Sequence, residues 1–91
     1  MVVEMYLIIV YYLNTKRVNK VKSCLRTYLY WIQNSVFEGE ITEVKYKEMI
    51  NKLKQLIDED EDSIIIYKMP PTYKPQKTIV GIEKSPITKF L

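Results

Sequence analysis

Apolar residues run almost unbroken from Met5 to Leu13, as Met-Tyr-Leu-Ile-Ile-Val-Tyr-Tyr-Leu. A β-branched and aromatic run without alternation predicts a strand buried on both faces. Asn14-Thr15 breaks the run and offers an N-cap. From Lys16 to about Tyr30 the period lengthens. At about 100° per residue, Val18, Val21, Leu25, Tyr28, Leu29 and Ile32 share one narrow arc, which predicts an amphipathic helix. Between Trp31 and Thr42 apolar and polar positions alternate, with Asn34-Ser35 in the middle and Gly39 near the end. That pattern predicts a short hairpin or a sharply bent strand. Thr42 as N-cap and Glu43 in the first turn open a second helix, striped by Tyr46, Met49, Ile50, Leu53, Leu56 and Ile57. Ser63 to Met69 is a further strand, again apolar on both faces. Pro70-Pro71 and Pro75 impose an extended connector. Thr78 to Ile82 reads as a last short strand, and Ser85-Pro86 introduces a tail.

The order is therefore strand, helix, hairpin, helix, strand. One domain over residues 1–84, including the final strand at about 78–82, is followed by a tail at 85–91. Two helices with one apolar stripe each cover one face of such a sheet. The strands starting at Met5 and Ser63 nevertheless carry large apolar residues on both faces. The second face would leave an exposed apolar patch too large for a monomer, so a homodimer packed sheet to sheet is expected. The strand after Pro75 is free to join its own sheet or the partner's.

Composition narrows the chemistry. Among 91 residues there is no histidine, and Cys24 is the only cysteine. Ser-His and Cys-His catalysis, His-ligated zinc and an internal disulfide are thereby excluded. Carboxylates with a hard cation remain as a catalytic route. Cys24 lies within the first helix, where it reads as a small half-buried residue. The run Met5–Leu13 is about half the length of a membrane span, and no basic segment or cleavage site precedes it. No membrane association is expected, and a cytoplasmic location is.

The formal charge of +3 permits nucleic-acid binding without requiring it. Its distribution says more, because no acidic residue falls between Glu4 and Glu38. Lys16, Arg17 and Lys20 sit on one flank of the first helix, Lys22 and Arg26 on the other. Two readings stand side by side: a solvated outer face, or a surface that tracks phosphates. Lys45, Lys47, Lys52 and Lys54 are mixed with acidic and amide residues and read as a solvated helix face. Asp58-Glu59-Asp60-Glu61-Asp62 lacks the glycine and spacing of a calcium loop and reads as a solvated acidic turn.

The element order is the ferredoxin-like βαββαβ sandwich of the α+β class. Within it, the string Trp31-Ile32-Gln33-Asn34-Ser35-Val36-Phe37-Glu38-Gly39-Glu40-Ile41-Thr42 resembles the signature of the CRISPR-associated protein 2 family. Val10-Tyr11-Tyr12-Leu13-Asn14 and Asp62-Ser63-Ile64-Ile65-Ile66-Tyr67 match at their expected places. The resemblance implies a ferredoxin-like homodimer whose last strand pairs with the partner's sheet. It implies a scaffold in spacer acquisition that bridges the integrase, CRISPR-associated protein 1, and carries protospacer duplex DNA. By position, Arg17 and Lys20, with Lys16 and Lys22 nearby, are the candidates that the resemblance offers for phosphate contact, and the stretch from Thr78 to Leu91 resembles the part that docks on the integrase.

The family is also described as a magnesium-dependent endonuclease on single-stranded RNA or duplex DNA, its metal held by one aspartate from each subunit at the end of the first strand. Here that pattern reads Tyr11-Tyr12-Leu13, and Tyr12 occupies the aspartate position. A phenol with a pKa of about 10 is neutral at pH 7 and a poor ligand for a hard cation. Magnesium is therefore not expected to bind, and the catalytic role does not carry over. Tyr11, Ser35 and Phe37 carry over only as neighbours of the site. A toxin-like ribonuclease of the virulence-associated type, which shares the fold, is the more distant alternative.

Overall fold

A computed structural model describes residues 4–72 and 76–84. In chain order the elements are β1 (Glu4–Tyr12), α1 (Thr15–Tyr28), β2 (Tyr30–Gln33), β3 (Val36–Thr42), α2 (Glu43–Leu56) and β4 (Ser63–Met69). The strands form one antiparallel sheet in the order β2-β3-β1-β4. With β3 between β1 and β2, the first helix is a crossover in a split βαβ unit.

Local chemistry sets the element boundaries. The Asn14 side chain accepts a hydrogen bond from the Lys16 N–H at 3.1 Å, and Thr42 Oγ1 accepts one from the Lys45 N–H at 3.2 Å. Each occupies one of the orphan donors of a helix N-terminus. Helix α1 stops at Leu29, whose backbone turns extended so that Tyr30 can start β2. Ile32, expected on the helical stripe, is consequently buried on β2 instead. Asn34 adopts φ 43° at the β2–β3 turn, a conformation that asparagine tolerates better than most side chains.

Register divides β1 between the two faces of the sheet. Met5, Leu7, Ile9 and Tyr11 are buried against Val21 and Leu25 of α1 and Met49 and Leu53 of α2, together with Phe37 and Ile41 of β3. Tyr6, Ile8 and Val10 point the other way and are only half-buried, and Tyr12 is exposed. On β4, Ile65 pairs with Val10 and Tyr67 with Ile8, and both are exposed. The helices therefore cover one face, and an apolar second face stays open on β1 and β4. Thr78–Ile82 forms no strand within the single chain, and Val80 and Ile82 on it are exposed. The expected tail at 85–91 lies outside the described residues, as does Pro75.

Gly39 has φ 153°, and a Cβ added there would meet Leu29 Cδ2 at 3.4 Å and Tyr30 Cδ2 at 3.5 Å. Those contacts are ordinary van der Waals distances, so the obstacle is the backbone itself, whose φ is one that L-residues avoid. Gly39→Ala should therefore cost about 1–3 kcal/mol, read by urea denaturation. A loss within error would show that β3 relaxes freely at this point.

Candidate functional site at the end of the first strand

Tyr12 ends β1 on the open face, 82% exposed and paired in register with Ser63. Its expected neighbours do not converge on it. Tyr11 and Phe37 lie on the helix side of the sheet, buried, with ring centroids 6.2 Å apart. Burial pushes the Tyr11 phenol up, and the charge of Arg26 opposes that shift. Ser35 contributes its backbone, since its carbonyl accepts from the Tyr11 N–H at 3.1 Å. Alternation along β1 separates adjacent tyrosines onto opposite faces, so Tyr12 alone of this group is presented outward.

The carboxylate adjoining this strand end is Asp62, and all of it is committed. Its Oδ1 accepts from the Asn14 N–H at 3.0 Å and from Arg17 Nη2 at 3.1 Å. Its Oδ2 accepts from Arg17 Nε at 2.5 Å and from the Asp58 N–H at 2.9 Å. Glu61 adds a bond to Arg17 Nη2 at 3.1 Å. The Asp62 side chain has no exposed surface, so the last residue of the acidic run is not solvated as expected. The Arg17 hydrogen bonds, then the two backbone N–H groups and the Arg17 charge, hold its carboxyl well below the usual carboxylate range against the effect of burial. The Arg17 guanidinium is raised in turn, chiefly by its hydrogen bond to Asp62.

Magnesium requires oxygen ligands that include carboxylate charge. Tyr12 brings a phenol, Ser63 a hydroxyl, and both Asp62 oxygens are already engaged. Glu38 faces the same side of the sheet opposite Ile8, four residues along β1 and about 13 Å away by strand rise. It is ion-paired to Lys77. Among the described residues no group of three acidic, histidine or cysteine side chains converges. The residues at this strand end do not fit a magnesium ion.

The basic residues of α1 divide into two kinds. Arg17, expected among the phosphate contacts, spends its fork on Asp62 and Glu61 within the chain. Lys16 and Lys20 are exposed one turn apart, and among the described residues no carboxylate pairs with either. Lys22 lies over the Trp31 ring, 5.5 Å from its centroid, and the Trp31 indole N–H donates to the Asn34 carbonyl at 3.1 Å. Its stem therefore packs on the hairpin while the ammonium stays at the surface. Cys24 is half-buried, and burial pushes its thiol up, as suits an inert packing residue. No helix among the described residues is long and apolar enough to cross a membrane.

Asp62, Glu38 and Lys77 escape a reading from sequence. Asp62 is one of five consecutive acidic residues, and nothing local separates it from the four before it. Glu38 lies on the open face, and its burial comes from the segment carrying Lys77, which no local pattern reveals.

Comparison with known proteins agrees with this architecture. A profile of the family described as CRISPR associated protein Cas2 matches residues 5–76. A relative named CRISPR-associated endoribonuclease Cas2, from Methanocaldococcus jannaschii, is 53% identical over 97% of this chain and 77% of its own length. A protein of the same name from Methanothermobacter thermautotrophicus is 47% identical over the full length of both chains. Among solved structures, one titled as the crystal structure of cas2 superposes with a TM-score of 0.78 at 45% identity, covering 91% of this chain and 93% of that one. Streptococcus pyogenes Cas2 gives 0.74 at 29% identity, over 84% of this chain and 99% of that one. With the ferredoxin-like topology, the hairpin string and this match over most of its length, the chain belongs to the CRISPR-associated protein Cas2 family.

Proposed function

We propose that the protein is a non-catalytic, dimeric scaffold of CRISPR adaptation, binding duplex DNA and bridging the integrase CRISPR-associated protein 1. The observation that carries this reading is the end of β1, where an exposed tyrosine stands beside a fully committed aspartate. The open apolar face of β1 and β4 supports a sheet-to-sheet homodimer. Thr78–Ile82, without a partner strand among the described residues, suits pairing with the second copy's sheet. Co-purification with the integrase tests the scaffold. Recovery of a complex, with or without duplex DNA, is expected, and failure under both conditions overturns it.

Duplex phosphates would be met by Lys16 and Lys20 on one exposed flank of α1 and by half-buried Lys22 on the other, with Arg17 bracing the helix from beneath. Affinity for a duplex should then fall by roughly 0.9 log units per log unit of salt for each phosphate neutralised. Lys16→Ala with Lys20→Ala should flatten that slope by about one unit per contact removed, measured by fluorescence anisotropy across a salt series. An unchanged slope would return the helix to a merely solvated face.

A second reading is favoured by the names of the relatives, which are called endoribonucleases. In it the chain is a magnesium-dependent endonuclease on single-stranded RNA or duplex DNA with a displaced ligand set. Magnesium-dependent cleavage abolished by EDTA in the native protein would establish that reading and displace the first.

A further inference from the structure

Glu38 is a buried carboxylate, 6% exposed, within the signature hairpin. Its side chain lies on the open face, in register with Ile8 on one side and Tyr30 on the other. A buried carboxylate without a cation is strongly unfavourable. Its partner is Lys77, which comes from the segment that follows the proline connector. Tyr6 reports on the same environment: burial, then the charge and hydrogen bond of Glu38, push its phenol up to about 12. Farther along the segment, Lys84 Nζ reaches Asn34 Oδ1 at 3.5 Å. Between these two contacts Val80 and Ile82 are 96% and 79% exposed. They flank Gly81, whose φ of 106° bends the segment between them. The β4 residues Ile65 and Tyr67 show an apolar surface of matching kind on the open face, 49% and 54% exposed.

We infer that Glu38 is the anchoring point for the chain's own C-terminal segment: by holding Lys77 on its own sheet, it fixes where that segment leaves the open face and aims Thr78–Ile82 at a second copy of this chain. The inference rests on the dimer reading above. The charge contact closes within one chain, and the apolar contact is made between two. Glu38 and Lys77 are thus positioning residues for dimerisation, and the selectivity they add comes from charge complementarity at a buried site.

The test uses Lys77→Ala, Lys77→Glu, Glu38→Lys and the double exchange of charges in the full chain. Two readouts are followed: dimer dissociation by sedimentation, and hydrogen exchange over residues 76–84. Lys77→Glu is expected to weaken the dimer at least tenfold and to speed exchange in that segment, Lys77→Ala less so. The double exchange should restore both. Mixing the two single charge variants should restore neither, because each chain still carries its own mismatched pair. Recovery on mixing would overturn the inference by showing that the contact runs between chains. So would Lys77→Ala and Lys77→Glu that leave both readouts unchanged. If Glu38→Lys does not fold, the two Lys77 variants decide the matter alone. A monomeric native protein would overturn the dimer reading and the aiming of Thr78–Ile82, and the exchange readout would still decide the anchor separately.

Discussion

Tyr12→Asp should raise magnesium-dependent cleavage of RNA or duplex DNA by on the order of a hundredfold or more over the native protein. Tyr12 ends β1 on the open face, 82% exposed, so the exchange disturbs no core packing. In a sheet-to-sheet dimer it would bring two carboxylates to one axis. Without a cation they repel, and with one they are held together. A second readout follows that does not depend on turnover. Magnesium should raise the melting temperature of the variant while leaving that of the native protein unchanged. Equal cleavage by both proteins would mean that the chemistry resides elsewhere than at the end of β1. No cleavage and no stabilisation by magnesium would mean that the two strand ends do not meet.

The second large effect concerns folding. Asp62→Ala should lower the melting temperature by on the order of 10 °C or more at pH 7. Four donors lose their acceptor at once: the Asn14 and Asp58 N–H groups and two nitrogens of Arg17. Those donors belong to the entry and first turn of α1 and to the exit from α2, so one carboxylate ties both helices to the start of β4. The Arg17 guanidinium, 18% exposed, is left with Glu61 alone. The pH dependence has a definite sign. A carboxyl held below its unfolded value contributes stability that is complete above that value, about 3.9, and is lost as pH falls through the folded one. The gap between native and variant proteins should therefore be widest near neutrality and shrink below about pH 4. Thermal melts at several pH values check it, and a constant gap would show that the Asp62 charge is not what the network uses.

These two residues also show how far the chain could be read before its fold was known. Tyr12 was legible because its place in a strand and in the Tyr11-Tyr12-Leu13 pattern are both local. Its outward direction follows from alternation once Tyr11 is seen to be buried. Arg17 was legible as a basic residue on a basic helix, and that is where local reading ended. The group that captures it lies 45 positions away. Asp62 carries the same formal charge as its four acidic predecessors, and only the approach of α1 withdraws it from water.

The order and period of the elements from β1 to β4, both helix caps and the hairpin string that marks the family were legible along the chain, because each depends on residues within a few positions of one another. Folding alone decided which charges are spent internally. The Asp62–Arg17 and Glu38–Lys77 pairs join positions 45 and 39 residues apart. A charge becomes a structural bond only where burial strips water from it and brings a partner within reach, and burial is a property of the assembled layers rather than of any stretch of chain.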